Sequence, residues 1–312
     1  MSDRQPPSAL AAAIANNRRN ERATRAWLLA PALTIILAIS ILPLGITVVY
    51  SFLTPGTYGG VTWEFSTDSY VQFLFQRDIF DDTLVFNSAY VSIFLRSIGL
   101  ALGATIGALI LGFPTAYFIA SKPREQRNIW LFLITLPFWT NLLIRTYAML
   151  LIIRDEGIIN IMLMKAGIIS SPLTILYTDT AVFIGLIYSF LPFMVLPIYA
   201  SLEKLDFSLV EAGYDLYANR LKVLFHVIVP LAKPGIVAGS ILVFIPALGA
   251  YITPELLGGG KKLMIGNMIA MQFGASRNWP FGSAAALILM ALVIVVLLLN
   301  ALAARRGASN NG

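Results

Sequence analysis

The chain has 312 residues, of which 58% are apolar and only 12% charged, against about 25% charged in a soluble globular protein, so part of its solvent is lipid. Lys and Arg (22) outnumber Asp and Glu (16) for a formal charge of +6, yet the basic residues fall in small groups without the aromatic-interleaved stripe of a nucleic-acid footprint. The chain has no cysteine and a single histidine, His226, which excludes disulfides, thiolate metal centres, a cysteine nucleophile and any two-histidine metal site.

A bilayer core about 30 Å thick needs roughly 20 consecutive apolar residues in a helix. Six stretches meet that requirement: Ala26–Phe52, Ser92–Ala120, Ile129–Ile153, Thr180–Ser201, Ile236–Leu256 and Gly282–Ala303. They divide the chain into an N-terminal tail (1–25), a first span with a long loop (26–91), a core of five spans (92–303) and a C-terminal tail (304–312). Pro6, Pro7, Asn16 and Asn17 among alanines predict weak order in the first ~20 residues. Arg18, Arg19, Arg22 and Arg25 resemble the flank of a signal peptide. The apolar run behind them, about 27 residues, exceeds the 7 to 15 of a signal core, so the first span is read as retained.

Cytoplasmic loops collect Lys and Arg near span ends. With the N-terminus inside, 14 basic residues fall inside and 6 outside, and Arg96 and Arg145 remain within spans. Both termini are therefore expected in the cytoplasm. The loop from Leu53 to Val91 is then external, aromatic and acidic, with Glu64, Asp68, Asp78, Asp81 and Asp82, and a short helix is predicted from Ser69.

The spans carry few ionisable groups: Arg96 near an end, Arg145 roughly eight residues (about 12 Å) in, and Glu255 at an outer end. Nothing forms the buried relay that ion-driven carriers use. Arg145 needs a partner in lipid, and a carboxylate, with Glu255 one candidate, or helix-end carbonyls both qualify. Prolines at 31, 43, 114, 137, 192, 197 and 246 are expected to kink their helices. Gly258-Gly259-Gly260-Lys261-Lys262 lacks the Ser/Thr and the spacing of a phosphate loop and reads as a turn.

The loop from Leu202 to Gly235 carries two amphipathic patterns, Leu209/Ala212/Gly213/Leu216 and Tyr217/Leu221/Leu224/Phe225/Ile228. Two short helices are predicted, bent near Ala218–Arg220, with Asn219 capping the second. Glu211 and Asp215 stand four apart, where like charges repel by a few tenths of a kcal/mol. A cationic partner relieves that repulsion.

Glu211-Ala212-Gly213, with Pro230 nineteen residues after the Glu and Pro234 four later, resembles the EAA loop of ABC-importer permeases. Gly213 stands for the second motif Ala and Tyr217 for the motif Gly. Leu136-Pro137-Phe138-Trp139-Thr140-Asn141-Leu142-Leu143-Ile144-Arg145-Thr146-Tyr147-Ala148 is similar to a segment of the permeases of spermidine/putrescine importers. So are Leu191–Pro197, Pro254–Gly259 and Trp279-Pro280. Asn278 stands where relatives often have Asp, and Ala250 where some have Glu.

The resemblance implies an all-α membrane protein of six spans, the type I ABC-importer permease fold, with a cytoplasmic coupling helix built on Glu211, Ala212, Gly213, Asp215, Tyr217 and Pro230. It implies an ABC ATPase dimer that holds ATP and Mg, a second homologous permease and an extracytoplasmic binding protein, with no cofactor on this chain. The cargo implied is a polyamine or a related cationic amine. A polycation needs carboxylates and aromatic faces, which makes Trp139, Tyr147, Tyr251, Glu255 and Trp279 the candidate pathway; interfacial aromatic belts explain the Trp and Tyr positions equally well. Arg145 is assigned a structural or gating charge. The rival class is a self-sufficient carrier or channel for a small cation. The topology has a direct test in a chain without cysteine: an impermeant thiol reagent should label Asp81→Cys in intact cells and Arg124→Cys only after the membrane is broken, and the reverse pattern would refute it.

Overall fold

In the computed structural model, residues 7–77, 83–206, 208–260 and 262–309 are described. Asp78, Asp81 and Asp82 of the acidic loop and Lys261 of the glycine-rich turn lie outside them. The first helix, α1 (Pro7–Ser51), is continuous, so the backbone is helical through most of the segment expected to be weakly ordered. The loop that follows holds two small hairpins, β1 (Leu53–Pro55) with β2 (Val61–Phe65) and β3 (Phe75–Arg77) with β4 (Leu84–Phe86), around a one-turn helix α2 (Asp68–Val71).

The core begins with α3 (Ala89–Ala120). Next come α4 (Arg124–Thr135) and α5 (Leu142–Ile153), joined by a 3-10 turn over Leu136–Trp139. The third expected span, Ile129–Ile153, is therefore broken, with the two limbs 93° apart. The cause is local. Pro137 tightens the last turn, Thr140 is extended, and Asn141 restarts the chain by accepting the Leu143 N–H on its side chain at 2.8 Å. The prolines at 31, 43, 114, 192, 197 and 246 lie inside continuous helices, so only Pro137 marks a break.

After α6 (Ile158–Lys165), α7 (Asp179–Leu202) is the central helix. Short helices α8 (Ser208–Asp215) and α9 (Arg220–Val223) follow, and α9 runs through a π-helical stretch, Leu224–Ile228, into α10 (Val229–Leu248). The fifth span is Arg220–Leu248 rather than Ile236–Leu256, and the second predicted short helix is its opening turns. Pro230 has no N–H for the carbonyl of residue 226, and the wider π turn absorbs the mismatch without a break. The chain then folds back through α11 (Ile252–Gly258) and α12 (Ile265–Phe273) to α13 (Trp279–Ser309).

Small residues decide how these helices meet, as expected where lipid removes the usual hydrophobic drive between them. A side chain at Gly107 of α3 would strike Ile187 and Phe183 of α7, one at Gly112 would meet Met194, and one at Gly185 would strike Thr253 and Leu257 of α11. On α10, a Cβ at Gly235 would fall on the Pro197 carbonyl and Ser201, and one at Gly239 would lie 2.9 Å from Met194 Sδ. By contrast α1 packs chiefly against α13 and leaves Leu28, Ile35, Ile39 and Leu42 exposed, so lipid or another membrane chain must cover it. Gly235→Ala should cost about 1–3 kcal/mol by overpacking against backbone that cannot yield, whereas Gly99→Ala, with open space around it, should be neutral or better by about 0.5 kcal/mol; thermal unfolding in detergent compares the two.

Candidate functional site: a helical loop and a bent span

Within the Leu202–Gly235 loop, helix α8 is held by one buried side chain. Val210 of α8 enters a cluster with Ile119, Leu202 and Val223. The Asp206 carboxylate starts the helix by accepting the Ser208 N–H at 3.0 Å, which holds its pKa below the ordinary value. Gly213 allows close contact with the next helix, since a Cβ there would lie 3.2 Å from Val223 Cγ2. A motif Ala would fit with a small shift.

Helix α8 ends in a left-handed residue, and that residue is Tyr217, at φ 57°. The Ala218 N–H reaches back to the Gly213 carbonyl at 3.2 Å, the closure of a Schellman turn. This explains why the motif carries glycine at the position and what its replacement means: the backbone keeps the turn while the ring stands 98% exposed. Asn219 caps α9 as expected, accepting the Lys222 N–H at 2.8 Å. The apolar pattern behaves otherwise. Leu209, Ala212, Leu216, Tyr217, Leu221 and Phe225 all face outward, beside exposed Glu211 and Asp215, and neither acid is ion-paired among the described residues. Pro230 lies on α10 just past the π turn.

At the bend in the third span, Arg145 is 8% exposed. It makes no ion pair with Glu255 or any other carboxylate among the described residues. Its Nη1 instead donates to the Pro137 carbonyl at 3.3 Å, so of the partners the sequence left open the helix-end carbonyl is the one found. Glu255 sits not at a span end but on the separate helix α11, where Oε2 accepts from Asn267 Nδ2 at 3.2 Å. Because α11 packs on α5, the structure brings the helices of Glu255 and Tyr147 together, with both side chains exposed. Trp139 on the 3-10 turn is 81% exposed, and Tyr251 just before α11 is also exposed. Trp279 is placed by other contacts. It stacks on Tyr50 of α1 at 6.2 Å and lines a cleft of about 320 Å³ with Tyr58, Phe273 and Arg277. Asn278 caps α13 through the Phe281 N–H, a task Asp would perform equally, so its departure from the relatives removes charge but not the cap.

Several organising residues carried weak sequence signals. Arg96 is ion-paired to Asp179 in the first turn of α7 and donates to the Leu263 carbonyl at 3.0 Å. The adjacent Ser97 accepts the Ile265 N–H at 2.9 Å, so α3 clasps the start of α12 twice. An arginine in an apolar run calls for an acid at a span start, and Asp179, after the capping Thr178, was that signal. Asn160, fully buried, ties the segment before α7 to α6 by bonds to and from Leu173. Gly259, at φ 64°, ends α11 against the Tyr177 ring, which bears out the reading of the glycine run as a turn.

The helical order, the broken span and the protruding loop define a class of membrane permease. Residues 108–307 match the family described as binding-protein-dependent transport system inner membrane component, and the chain belongs to it. It is 42% identical over 237 residues to the spermidine/putrescine transport system permease protein PotB of Escherichia coli, covering 76% of this chain and 82% of the relative. The PotB protein of Haemophilus influenzae is 47% identical over 205 residues, 66% of this chain and 72% of that one. In fold, the chain is similar to a bacterial ABC transporter involved in the import of the acidic polysaccharide alginate, with a TM-score of 0.63 at 18% identity over 93% of this chain and 99% of the other. The six-span permease fold of ABC importers is thus the fold of this chain, with the third span broken, and the chain is an inner-membrane transport component. A left-handed tyrosine costs about 1–2 kcal/mol relative to glycine, so Tyr217→Gly should slow amide exchange at Ala218 and stabilise the loop by about 1 kcal/mol, while Tyr217→Ala, which keeps the Cβ, should not.

Proposed function

We propose that the chain is one permease subunit of an ATP-driven importer of spermidine, putrescine or a related cationic amine, working by alternating access. The similarity to the PotB permeases across most of both chains supports the cargo. The observation that carries the coupling is the unpartnered face Leu216–Tyr217–Leu221–Phe225 beside Glu211 and Asp215, on a loop anchored to the core by Val210. An apolar face of this kind, rimmed by acids, suits a groove with basic edges. ATP and Mg belong to the ATPase dimer that offers that groove. One loop engages one ATPase, so a second, homologous permease completes the pair, and a binding protein delivers the cargo on the opposite side. Both chain termini lie on the ATPase side, in the cytoplasm.

In this reading closure of the ATPases pushes on α8. Because α9, the π turn and α10 are one continuous rod, the push reaches Gly235 and Gly239, where α10 meets α7, and from α7 it passes to α11 and α3. Cargo ammonium groups meet the Glu255 carboxylate, already oriented by Asn267, with Tyr251 and Tyr147 exposed on the neighbouring elements; Trp139 and Trp279 complete the pathway nearer its edges. The complete assembly reconstituted in liposomes tests both halves. Glu255→Gln removes a charge-assisted contact of about 1.5–3 kcal/mol and should lower uptake of labelled putrescine and spermidine about ten-fold or more, with assembly and ATPase binding intact. Glu211→Lys should abolish uptake and loosen the ATPase. Undiminished uptake in the first variant would refute the cargo site, and in the second the coupling assignment.

A further inference from the structure

Arg145 is a buried cation with no carboxylate partner among the described residues, and its surroundings explain how it persists. The guanidinium carbon lies 5.7 Å from the centroid of Phe138 and 5.8 Å from that of Tyr188, within range of both ring faces. Nη1 donates to the Pro137 carbonyl, which also accepts the Thr140 N–H at 3.3 Å and the Thr140 hydroxyl at 2.7 Å. That carbonyl belongs to the C-terminal end of the α4 limb, where the helix dipole favours positive charge. Phe138 is itself set edge-on against Phe193 of α7 at 5.0 Å. Nε is buried, with no hydrogen-bond partner among the described residues. The walls around this cation thus come from the first side of the 93° break and from the central helix, while the second side supplies the cation.

We propose that Phe138, Tyr188 and the Pro137 carbonyl form a guanidinium site filled by the chain's own Arg145, and that this tethered cation is the positioning residue that fixes the bend of the third span on α7. Phe138 and Pro137 travel with the first limb, Arg145 with the second and Tyr188 with α7, so the three elements are joined at one point. A guanidinium suits the place better than an ammonium, because it is planar, delocalised and weakly hydrated, and it stacks on aromatic faces. An ammonium ion loses more hydration in entering and has no plane to lay on either ring. Cargo ammonium groups are therefore not the occupants of this cage. The inference does not depend on which cargo the importer carries.

Truncation empties the site, and a free guanidinium should refill it. In the full assembly in lipid nanodiscs, Arg145→Ala should reduce cargo transport about ten-fold through kcat with KM unchanged, the size expected for losing a desolvated cation–π contact. Millimolar methylguanidinium should restore several-fold and raise the thermal midpoint of the variant, whereas methylammonium should do neither and the unmodified protein should show no shift. Normal transport by Arg145→Ala, equal rescue by methylammonium, or no thermal shift in the assembled variant would overturn the proposal. If Arg145→Ala does not assemble, Tyr188→Leu decides: it keeps the cation, removes one face and should lower kcat several-fold, and unchanged kcat would overturn the cage. Failure of the unmodified assembly to carry polyamines would undo the proposed cargo, yet the thermal shift would still decide for or against the guanidinium site.

Discussion

Helix α7 is approached by three neighbours at distances that exclude a side chain, and the rest of the core depends on those approaches. Gly107 and Gly112 admit α3, Gly235 and Gly239 admit α10, and Gly185 admits α11. In lipid, apolar burial contributes little to association between helices, so van der Waals contact between close backbones carries more of the stability. The consequence is rigidity around α7. A displacement of α10 cannot be absorbed by sliding past Met194 or the Pro197 carbonyl, and it must move α7 or bend α10 itself.

That constraint gives the surrounding irregularities their meaning. The π turn at Leu224–Ile228 lets Pro230 sit in a continuous rod from Arg220 to Leu248, so the loop and the packed half of α10 are mechanically one element. The broken third span is attached more loosely, through Arg145, Phe138 and the contact of α5 with α11. The Arg96–Asp179 pair and the Ser97–Ile265 bond fasten the other end of the bundle, where α11 and α12 fold back. Close packing at the centre and polar clasps at one end leave the outward apolar face of α8 and α9 and the exposed side of α1 around Leu28, Ile35, Ile39 and Leu42 as the surfaces that require other molecules.

The two departures from the resembled motifs have different physical characters. Tyr217 keeps the backbone geometry a glycine would supply and adds an exposed ring at a conformational cost of about 1–2 kcal/mol, which makes the ring itself the gain. Asn278 keeps the cap and gives up the charge. Glu255, with Asn267 holding one oxygen, remains the acid that α11 presents next to α5, and it does not neutralise Arg145.

Most of the fold was legible from hydropathy, because a span requires about 20 apolar residues whatever it packs against. Four of the six spans lie close to the stretches read from the chain, the third being broken and the fifth displaced toward Arg220, and the Asn219 cap, the glycine turn and the family resemblance also depended on short-range patterns. The amphipathic reading of the Leu202–Gly235 loop found its helices but not which apolar face is buried, since Val210 points inward while Leu209 and Leu216 do not. The break beside Pro137, the continuity of α9 with α10, the placing of Glu255 on its own helix and the partner of Arg145 were decided by tertiary structure alone. Each depends on groups brought together from separate turns or separate helices. Seven other prolines, Pro234 among them, sit inside unbroken helices, and an arginine in an apolar run signals only that a partner exists. Which partner it finds, a carboxylate or two aromatic rings and a carbonyl, is set by how the chain folds back on α7.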